Sequence, residues 1–243
     1  LPFAWWRDTD VRLLAWTRRG LGPVLGAAAL ALVLLAPFRN FSTADARSAA
    51  EINRCARDMI ECLDGREWLV TDGSLDSHLL VEAREQGRRL ELLNLAMSEN
   101  EGYMRYVADK FESPRIRNLA NVGMLPLLRE WCTSGGGGPS NMAVQSFPDF
   151  WLALGLTPLP NKLVFLGVPE NELPDAETLL REHERFWEQR REDVRGAAEE
   201  EGHLGRLGRY LLRHMGLAAN NLGVALEDMA EPGKAVRAYA AAR

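Results

Sequence analysis

The residues of this sequence that are best placed to do chemistry are two aspartates four positions apart. Asp72 and Asp76 follow the apolar run EWLVT, and His78 comes two positions later. Two carboxylates can divide the roles of general acid and general base, and a histidine facing the same side can act as a base. Aspartate also caps helices and stabilises their N-terminal ends, so a structural role is the alternative for this pair.

The elements that position this pair form a strand–helix–strand unit. Apolar runs predict strands over 67–71 and 90–95, with a helix over 75–86 between them. Such a helix joins parallel strands, so we expect a small, parallel, Rossmann-like α/β sheet with flanking helices. Ligands of open parallel sheets bind beyond the carboxyl ends of the strands. That edge carries Asp72, Gly73, Ser74 and Asp76 after the first strand, and Ser98, Glu99 and Asn100 after the second.

Further helices and strands are expected around this unit. Apolar spacing predicts helices over 42–63, 101–111, 115–131, 148–154 and 176–199, and strands over 142–146 and 162–167. The proline-containing sequence TPLPN is interpreted as a turn between the last two elements of the sheet. The glycine run over 134–139 is interpreted as a flexible connection, because it lacks the Gly-Lys-Ser/Thr ending of a phosphate loop.

A membrane-spanning helix is expected before the α/β domain. Residues 21–38 contain no charged side chain, and at about 1.5 Å per residue they extend about 27 Å, which is enough for a hydrocarbon core. Four arginines precede this segment and two follow it closely. Positive charge stays in the cytoplasm, so residues 40–243 are expected outside it. A buried core helix or hairpin is the alternative.

Charge and cysteine content narrow the possible partners. The net charge of −5 argues against nucleic-acid binding, which needs a basic surface. Cys55 and Cys62 lie about 10 Å apart on the predicted helix, too far for a disulfide, and are expected in the core. Cys132 is able to pair with one of them in an oxidising compartment. The sequence has no Cys/His metal pattern, and no metal or cofactor is expected.

The C-terminal segment 220–243 resembles a tetratricopeptide repeat. Small residues let two antiparallel helices approach, large ones fill the gap, and the turn Glu231-Pro232-Gly233 joins the helices. The residues at the motif's spacings are Leu222, Gly223, Ala225, Leu226, Ala235, Tyr239 and Ala242. One repeat cannot bury its own apolar face, so a capping helix over 204–216 and further repeats beyond residue 243 are expected. We therefore expect a protein partner for the repeats. We also expect the chain to be organised in three regions, over 1–40, 41–173 and 174–243.

The α/β domain resembles the soluble tail of a bacterial family of multi-span membrane proteins grouped with protein O-mannosyltransferase-like glycosyltransferases. The resemblance rests on WLVTDGSLDSHLL, LELLNLAMSENEGYMRYV and FPDFWLALGLTPLPNKLVFLGV. Asp72, Gly73 and Asp76 match the family's Asp-rich turn, and Asn94 and Tyr103 match its second element. The resemblance adds Asn94 and Tyr103 to the candidate ligand residues. It also implies a bacterial inner membrane, and catalytic carboxylates that precede residue 1.

Three functions follow as hypotheses. The first is an extracytoplasmic accessory or binding module of a membrane glycosyltransferase-like protein, whose repeats recruit a protein partner. The second is a non-enzymatic scaffold of a cell-envelope complex. The third is an enzyme that processes a sugar or a phosphate with Asp72 and Asp76. The sequence assigns no catalytic residue within this chain.

Overall fold

The computed structural model describes residues 29–31, 35, 47–134, 137–146 and 148–242, and the chain divides into two compact units. In the first unit, residues 1–46, the described residues 29–31 and 35 are helical. Most of the expected span over 21–38 therefore lies outside the described residues. Within the described part of the chain, no helix combines the length and the apolar character that crossing a membrane requires.

The second unit, residues 47–243, holds all of the described strands. Its helices are α1 (Arg47–Glu61), α2 (Asp76–Glu85), α3 (Glu101–Ala108), α4 (Pro114–Ala120), α5 (Met124–Thr133), α6 (Gly138–Asn141), α7 (Asp149–Leu152), α8 (Ala176–Glu199), α9 (Gly202–Asp228) and α10 (Pro232–Ala241). Its strands are β1 (Trp68–Thr71), β2 (Glu91–Asn94), β3 (Met142–Val144), β4 (Thr157–Asn161) and β5 (Val164–Val168). The α/β class expected from the sequence is confirmed.

The sheet has the strand order β2-β1-β3-β5-β4 and is mixed. β1 pairs in parallel with β2, as the strand–helix–strand unit predicts, and it also pairs in parallel with β3. β5 runs antiparallel to both β3 and β4, so the expectation of a wholly parallel sheet is wrong. The reason is the tight turn at Lys162, whose φ of 57° lets β4 fold back directly onto β5 without a crossover helix.

The sequence TPLPN forms strand β4, and its interpretation as a turn is wrong. Pro158 pairs with Gly167 and Pro160 with Phe165, at the free edge of the sheet. The two prolines are two positions apart, so their backbone nitrogens, which carry no hydrogen, both face away from β5. Glycine is needed at position 167, opposite Pro158, because a Cβ there would lie 2.4 Å from the ring of Trp151.

Each face of the sheet is covered by its own core. The first core joins α1, α2, α8 and α9 to one face, and the second joins α3, α4, α5 and α7 to the other. The alternation along β1 shows the division, because Leu69 belongs to the first core and Trp68 and Val70 to the second. The burial of Ile52, Ala56, Met59 and Ile60 in α1, and of Leu63 just after it, confirms the predicted apolar stripe.

Two expected helices differ from the structure for identifiable reasons. The helix predicted over 115–131 is two helices, α4 and α5, because Gly123 adopts a φ of 145° that ends the first and begins the second. The helix predicted over 204–216 as a separate cap is the first half of α9, which runs unbroken for 27 residues. Nothing in the sequence between residues 216 and 220 ends a helix, so α9 continues into the repeat-like segment.

The helices α8, α9 and α10 pack as successive antiparallel neighbours. Arg190 of α8 also bonds Asp58 of α1 through both carboxylate oxygens. In the repeat-like segment, Leu222, Gly223, Ala225, Leu226 and Ala235 are buried, while Tyr239 and Ala242 are half-buried. A Cβ on Gly223 would lie 2.3 Å from the ring of Tyr239. Glycine therefore sets the close approach of α9 and α10.

The cysteines are free thiols in the two cores. Cys55 and Cys62 lie in the first core and Cys132 packs against the second, so the sheet separates Cys132 from the other two. The pairing of Cys132 with one of them, which the sequence leaves open, is therefore not formed. Burial raises the pKa of the thiols to about 12 for Cys55 and Cys132 and to about 11 for Cys62, which makes them unreactive.

Candidate functional site at the strand ends

The chain reverses its direction of winding at β1. From β1 it passes through α2 to β2 on one side, and it then returns through α3, α4 and α5 to β3 on the other side. The helices of these two connections lie on opposite faces of the sheet. The space beyond the carboxyl ends of β1 and β3 is therefore a topological switch point, where open α/β sheets bind ligands.

A row of polar side chains lies at this edge, on the face of the sheet that carries the first core. Thr71 of β1 pairs in register with Asn94 of β2. Gln145 follows β3, and its backbone N–H donates to Val70 O at 2.8 Å, which continues the pairing of β3 with β1. Thr71 and Gln145 are both fully buried. Three adjacent strands thus each place one polar residue at the same edge.

Asp76 holds part of this row together from the first turn of α2. Its Oδ1 accepts from Thr71 Oγ1 at 2.7 Å, and its Oδ2 accepts from Asn94 Nδ2 at 2.8 Å. The Gly73 N–H also donates to Thr71 Oγ1, at 3.3 Å. Both carboxylate oxygens of Asp76 therefore fasten the ends of β1 and β2 to α2, and Asp76 has a structural role.

Gly73 is required at its position by two features of the structure. Its φ is 90°, in the left-handed region that favours glycine. A Cβ there would also lie 2.5 Å from Asn94 Nδ2. Gly73 therefore makes the turn after β1 possible and leaves room for the amide of Asn94.

Tyr103 supports the end of β2 and offers little to a ligand. Its hydroxyl accepts from the Asn94 N–H at 2.7 Å and donates to Leu92 O at 3.3 Å. Burial raises the pKa of this tyrosine. The side chain of Asn100, in turn, accepts from the Tyr103 N–H and begins α3. Both hydrogen-bonding directions of the Tyr103 hydroxyl are therefore in use.

Asp72 and Ser74 lie beside Tyr210 of α9, which the sequence analysis did not identify. Ser74 N–H donates to Asp72 Oδ1 at 2.9 Å, and Gln145 Nε2 donates to the Tyr210 hydroxyl at 3.1 Å. The pKa of Tyr210 is raised, first by burial and then by the negative charge of Asp72. We call Asp72, Ser74, Gln145 and Tyr210 the switch-point site.

Unsatisfied polar atoms are concentrated at this edge. Among the described residues, six buried side-chain polar atoms lack a hydrogen-bond partner, and three of these are Asn94 Oδ1, Gln145 Oε1 and Ser146 Oγ. Rotating the side-chain amide of Gln145 by half a turn exchanges its oxygen and its nitrogen, so one of these two atoms stays without a partner in either orientation. Buried polar groups are normally paired, because an unpaired one costs about 1–3 kcal/mol.

The histidines have structural partners. His214, one turn after Tyr210 and stacked on it, donates from Nε2 to Leu163 O at 2.7 Å. His183 donates from Nδ1 to Leu179 O and accepts the Lys162 N–H. Burial lowers the pKa of both, so both are neutral near pH 7. His78 bonds Asn53 of α1 at 2.6 Å, which directs its ring toward α1 rather than toward Asp72.

Ser98 and Glu99, expected at the same edge, line a separate surface region. They border two adjoining cavities of about 400 and 520 Å³, together with Val122 and Gly123. Val122 is 70% exposed there. In the part of the chain that the structure describes, no group of three or more His, Cys, Asp or Glu side chains is arranged to hold a metal ion.

Of the predicted ligand residues, Gly73, Asp76, Asn94 and Tyr103 therefore meet in one structural network, and Asp72 and Ser74 meet in the switch-point site. Gln145 could have been added from sequence, because it is the penultimate residue of the predicted strand over 142–146 and strand ends were the expected edge. Tyr210 lies 138 positions after Asp72 on a helix with no local signal for it. Comparison with protein-family models, curated proteins and solved structures finds no match to this chain.

Proposed function

We propose that this chain is a binding module without catalytic chemistry of its own, and that it binds a small polar ligand at the switch-point site. The observation that carries the proposal is the side-chain amide of Gln145. It is fully buried, it reaches the Tyr210 hydroxyl beside Asp72, and its Oε1 has no partner. A ligand that donates to this oxygen removes the cost of leaving it unpaired.

The arrangement of the carboxylates favours binding over catalysis. Acid–base catalysis needs two groups free to exchange protons with a substrate. Asp76 uses both oxygens to hold Thr71 and Asn94, and His78 bonds Asn53 on another helix. Of Asp72, Asp76 and His78, only the half-buried Asp72 belongs to the switch-point site. The hypothesis of an enzyme that uses Asp72 and Asp76 therefore has less support.

The setting of the module is proposed from the sequence. The apolar segment over 21–38 and its arginine bias support a protein of the bacterial inner membrane with residues 40–243 outside the cytoplasm. The family resemblance supports an accessory role in a membrane glycosyltransferase-like protein. The packing of Gly223 against Tyr239 supports a tetratricopeptide-like pair that recruits a protein partner. A scaffold of an envelope complex is the second candidate, favoured by this helical pair alone.

The binding function is tested by the thermal unfolding of the 243-residue chain with sugars, amines, nucleotides, simple phosphates and divalent cations. A ligand present at about 100 times its Kd adds about 2.7 kcal/mol to the free energy of unfolding. We expect one class to raise the Tm of the natural chain and of Asp109→Asn, an exposed control, but not of Asp72→Asn. An equal rise in all three chains, or no rise with any class, would contradict the proposal.

A further inference from the structure

Building on the proposed binding function, we infer that the ligand presents a protonated primary amine to the switch-point site. The inference follows from which atoms of the site are free, from the charge around them, and from the number of acceptors that an ammonium group needs.

In the orientation that the structure gives to the side-chain amides of Asn94 and Gln145, the free atoms of both amides are oxygens. Asn94 Oδ1 and Gln145 Oε1 are buried and without partners, whereas the nitrogens of the same amides donate to Asp76 and to Tyr210. An amide oxygen only accepts hydrogen bonds. The site therefore offers acceptors and lacks free amide donors, so it favours a ligand group that donates.

The charge of the site is negative. The charged groups that raise the pKa of Tyr210 are Asp72 and Asp76. Asp72 is half-buried, so its carboxylate acts through a medium that screens less than water. A phosphate or carboxylate ligand would be repelled by these groups. A cation that carries N–H donors is attracted and can bond the free oxygens.

An ammonium group fits this site better than a divalent metal ion does. Mg²⁺ and Ca²⁺ bind six to eight oxygens, usually several of them from carboxylates. Asp76 has both oxygens occupied, which leaves Asp72 as the free carboxylate of the switch-point site. An ammonium group has three donors, and Asp72 and Gln145 Oε1 supply an anion and an acceptor for two of them.

Isothermal calorimetry with matched probes tests this inference on the 243-residue chain. Ethanolamine and glucosamine carry the ammonium group, whereas ethylene glycol and glucose have hydroxyls in its place. We expect saturable binding of the two amines and none of the two neutral compounds. Asp72→Asn should weaken amine binding about ten- to hundredfold, because it removes a charge-assisted hydrogen bond, while Asp109→Asn should leave it unchanged.

The outcomes separate the inference from the proposed function. Equal binding of glucose and glucosamine, or binding of MgCl₂ or phosphate that Asp72→Asn alters, would overturn the amine inference and leave a binding site in place. Amine binding that Asp72→Asn does not alter would also overturn it, because the amine would then bind elsewhere. If no probe of any class binds, both the inference and the proposed function fail.

Discussion

At the scale of single residues, two aspartates on one turn have different roles because their partners differ. Asp76 accepts a hydrogen bond on each oxygen from side chains at the ends of two strands. Asp72 accepts the Ser74 N–H on one oxygen and faces Tyr210. Asp76 therefore belongs to the structure of the sheet edge, and Asp72 belongs to the proposed site.

This difference predicts that a substitution at Asp76 lowers the free energy of unfolding more than a substitution at Asp72 does. Asp76→Ala leaves the buried Thr71 hydroxyl and the Asn94 amide nitrogen unpaired, so the free energy of unfolding should fall by about 2–4 kcal/mol. Asp72→Asn keeps the acceptor for Ser74 and should change it by less than about 1 kcal/mol. Urea unfolding followed by circular dichroism measures both. A larger loss for Asp72→Asn than for Asp76→Ala would contradict the assignment.

Gln145 should contribute to binding without contributing to stability. Gln145→Met removes an amide with one unpaired end, and this gain offsets the lost bond to Tyr210, so we expect a change within about 1 kcal/mol. Thr71→Val is the matched control at a fully buried, fully paired position and should cost about 1–3 kcal/mol. A destabilisation by Gln145→Met as large as that of Thr71→Val would indicate a structural amide.

At the scale of elements, helix α9 connects the switch-point site to the helical pair. Tyr210 and His214 lie in its first half, and Leu222, Gly223 and Leu226 lie in its second half against α10. Its 27 residues extend about 40 Å. The same helix therefore carries both a residue of the proposed ligand site and the surface proposed for a protein partner.

The contact between α9 and α10 makes a direct prediction about glycine. Gly223→Ala places a methyl group against the Tyr239 ring and should destabilise the chain by about 1–3 kcal/mol. Gly233→Ala is the control, since nothing lies within 4 Å of its Cβ, and alanine there should be neutral or stabilising by up to about 1 kcal/mol. Chemical unfolding compares the two variants.

A rescue distinguishes overpacking from other causes. Tyr239→Leu makes room beside residue 223, so Gly223→Ala should cost less in that background than in the natural chain. If Gly223→Ala and Gly233→Ala have the same effect, the close approach of the two helices does not depend on Gly223.

Local signals predict the elements that local physics determines. The strands β1 and β2, helices α1, α2, α3 and α8, and the stripe on α1 follow from apolar spacing and from the residues that begin and end helices. The β4 strand was missed because two prolines resemble a turn unless their edge position is known. The break at Gly123 is a local glycine signal that the prediction of one helix over 115–131 passed over, and the prediction divided α9 although nothing between residues 216 and 220 ends a helix.

The site was predicted in part for the same reason. The turn after β1 is local, so Asp72 and Ser74 were found from the sequence. Their neighbour Tyr210 lies on helix α9, far from them along the sequence. The different roles of Asp72 and Asp76 depend on Asn94 of another strand, which bonds Asp76. Spacing along the chain identifies which strand ends carry polar residues, but not which of those residues keep a free atom.

At the scale of the whole molecule, two buried neutral histidines make the stability of the chain depend on pH. Burial lowers the pKa of His183 and of His214, whereas a histidine in the unfolded chain titrates near 6.5. Below about pH 6.5 the unfolded chain binds more protons than the folded chain. The stability that these residues contribute is therefore present above this pH and is lost as the pH falls through it.

We expect the free energy of unfolding to fall between about pH 7 and about pH 5. His214→Gln removes one titrating group and should reduce this slope, while His203→Gln, at an exposed position, should not. Urea unfolding at several pH values measures the slope. A stability that stays constant over this interval, or a slope that His214→Gln leaves unchanged, would contradict the account of the buried histidines.

Ligand binding at the switch-point site is tested most directly at Gln145. The side-chain amide resonance of Gln145 in the ¹⁵N-labelled chain can be followed by NMR during titrations with glucosamine, glucose and a nucleotide. We predict a saturable movement of this resonance with one of them, while the exposed Gln189 stays in place. A Gln145 resonance that no compound moves, or that moves together with Gln189, would contradict the claim.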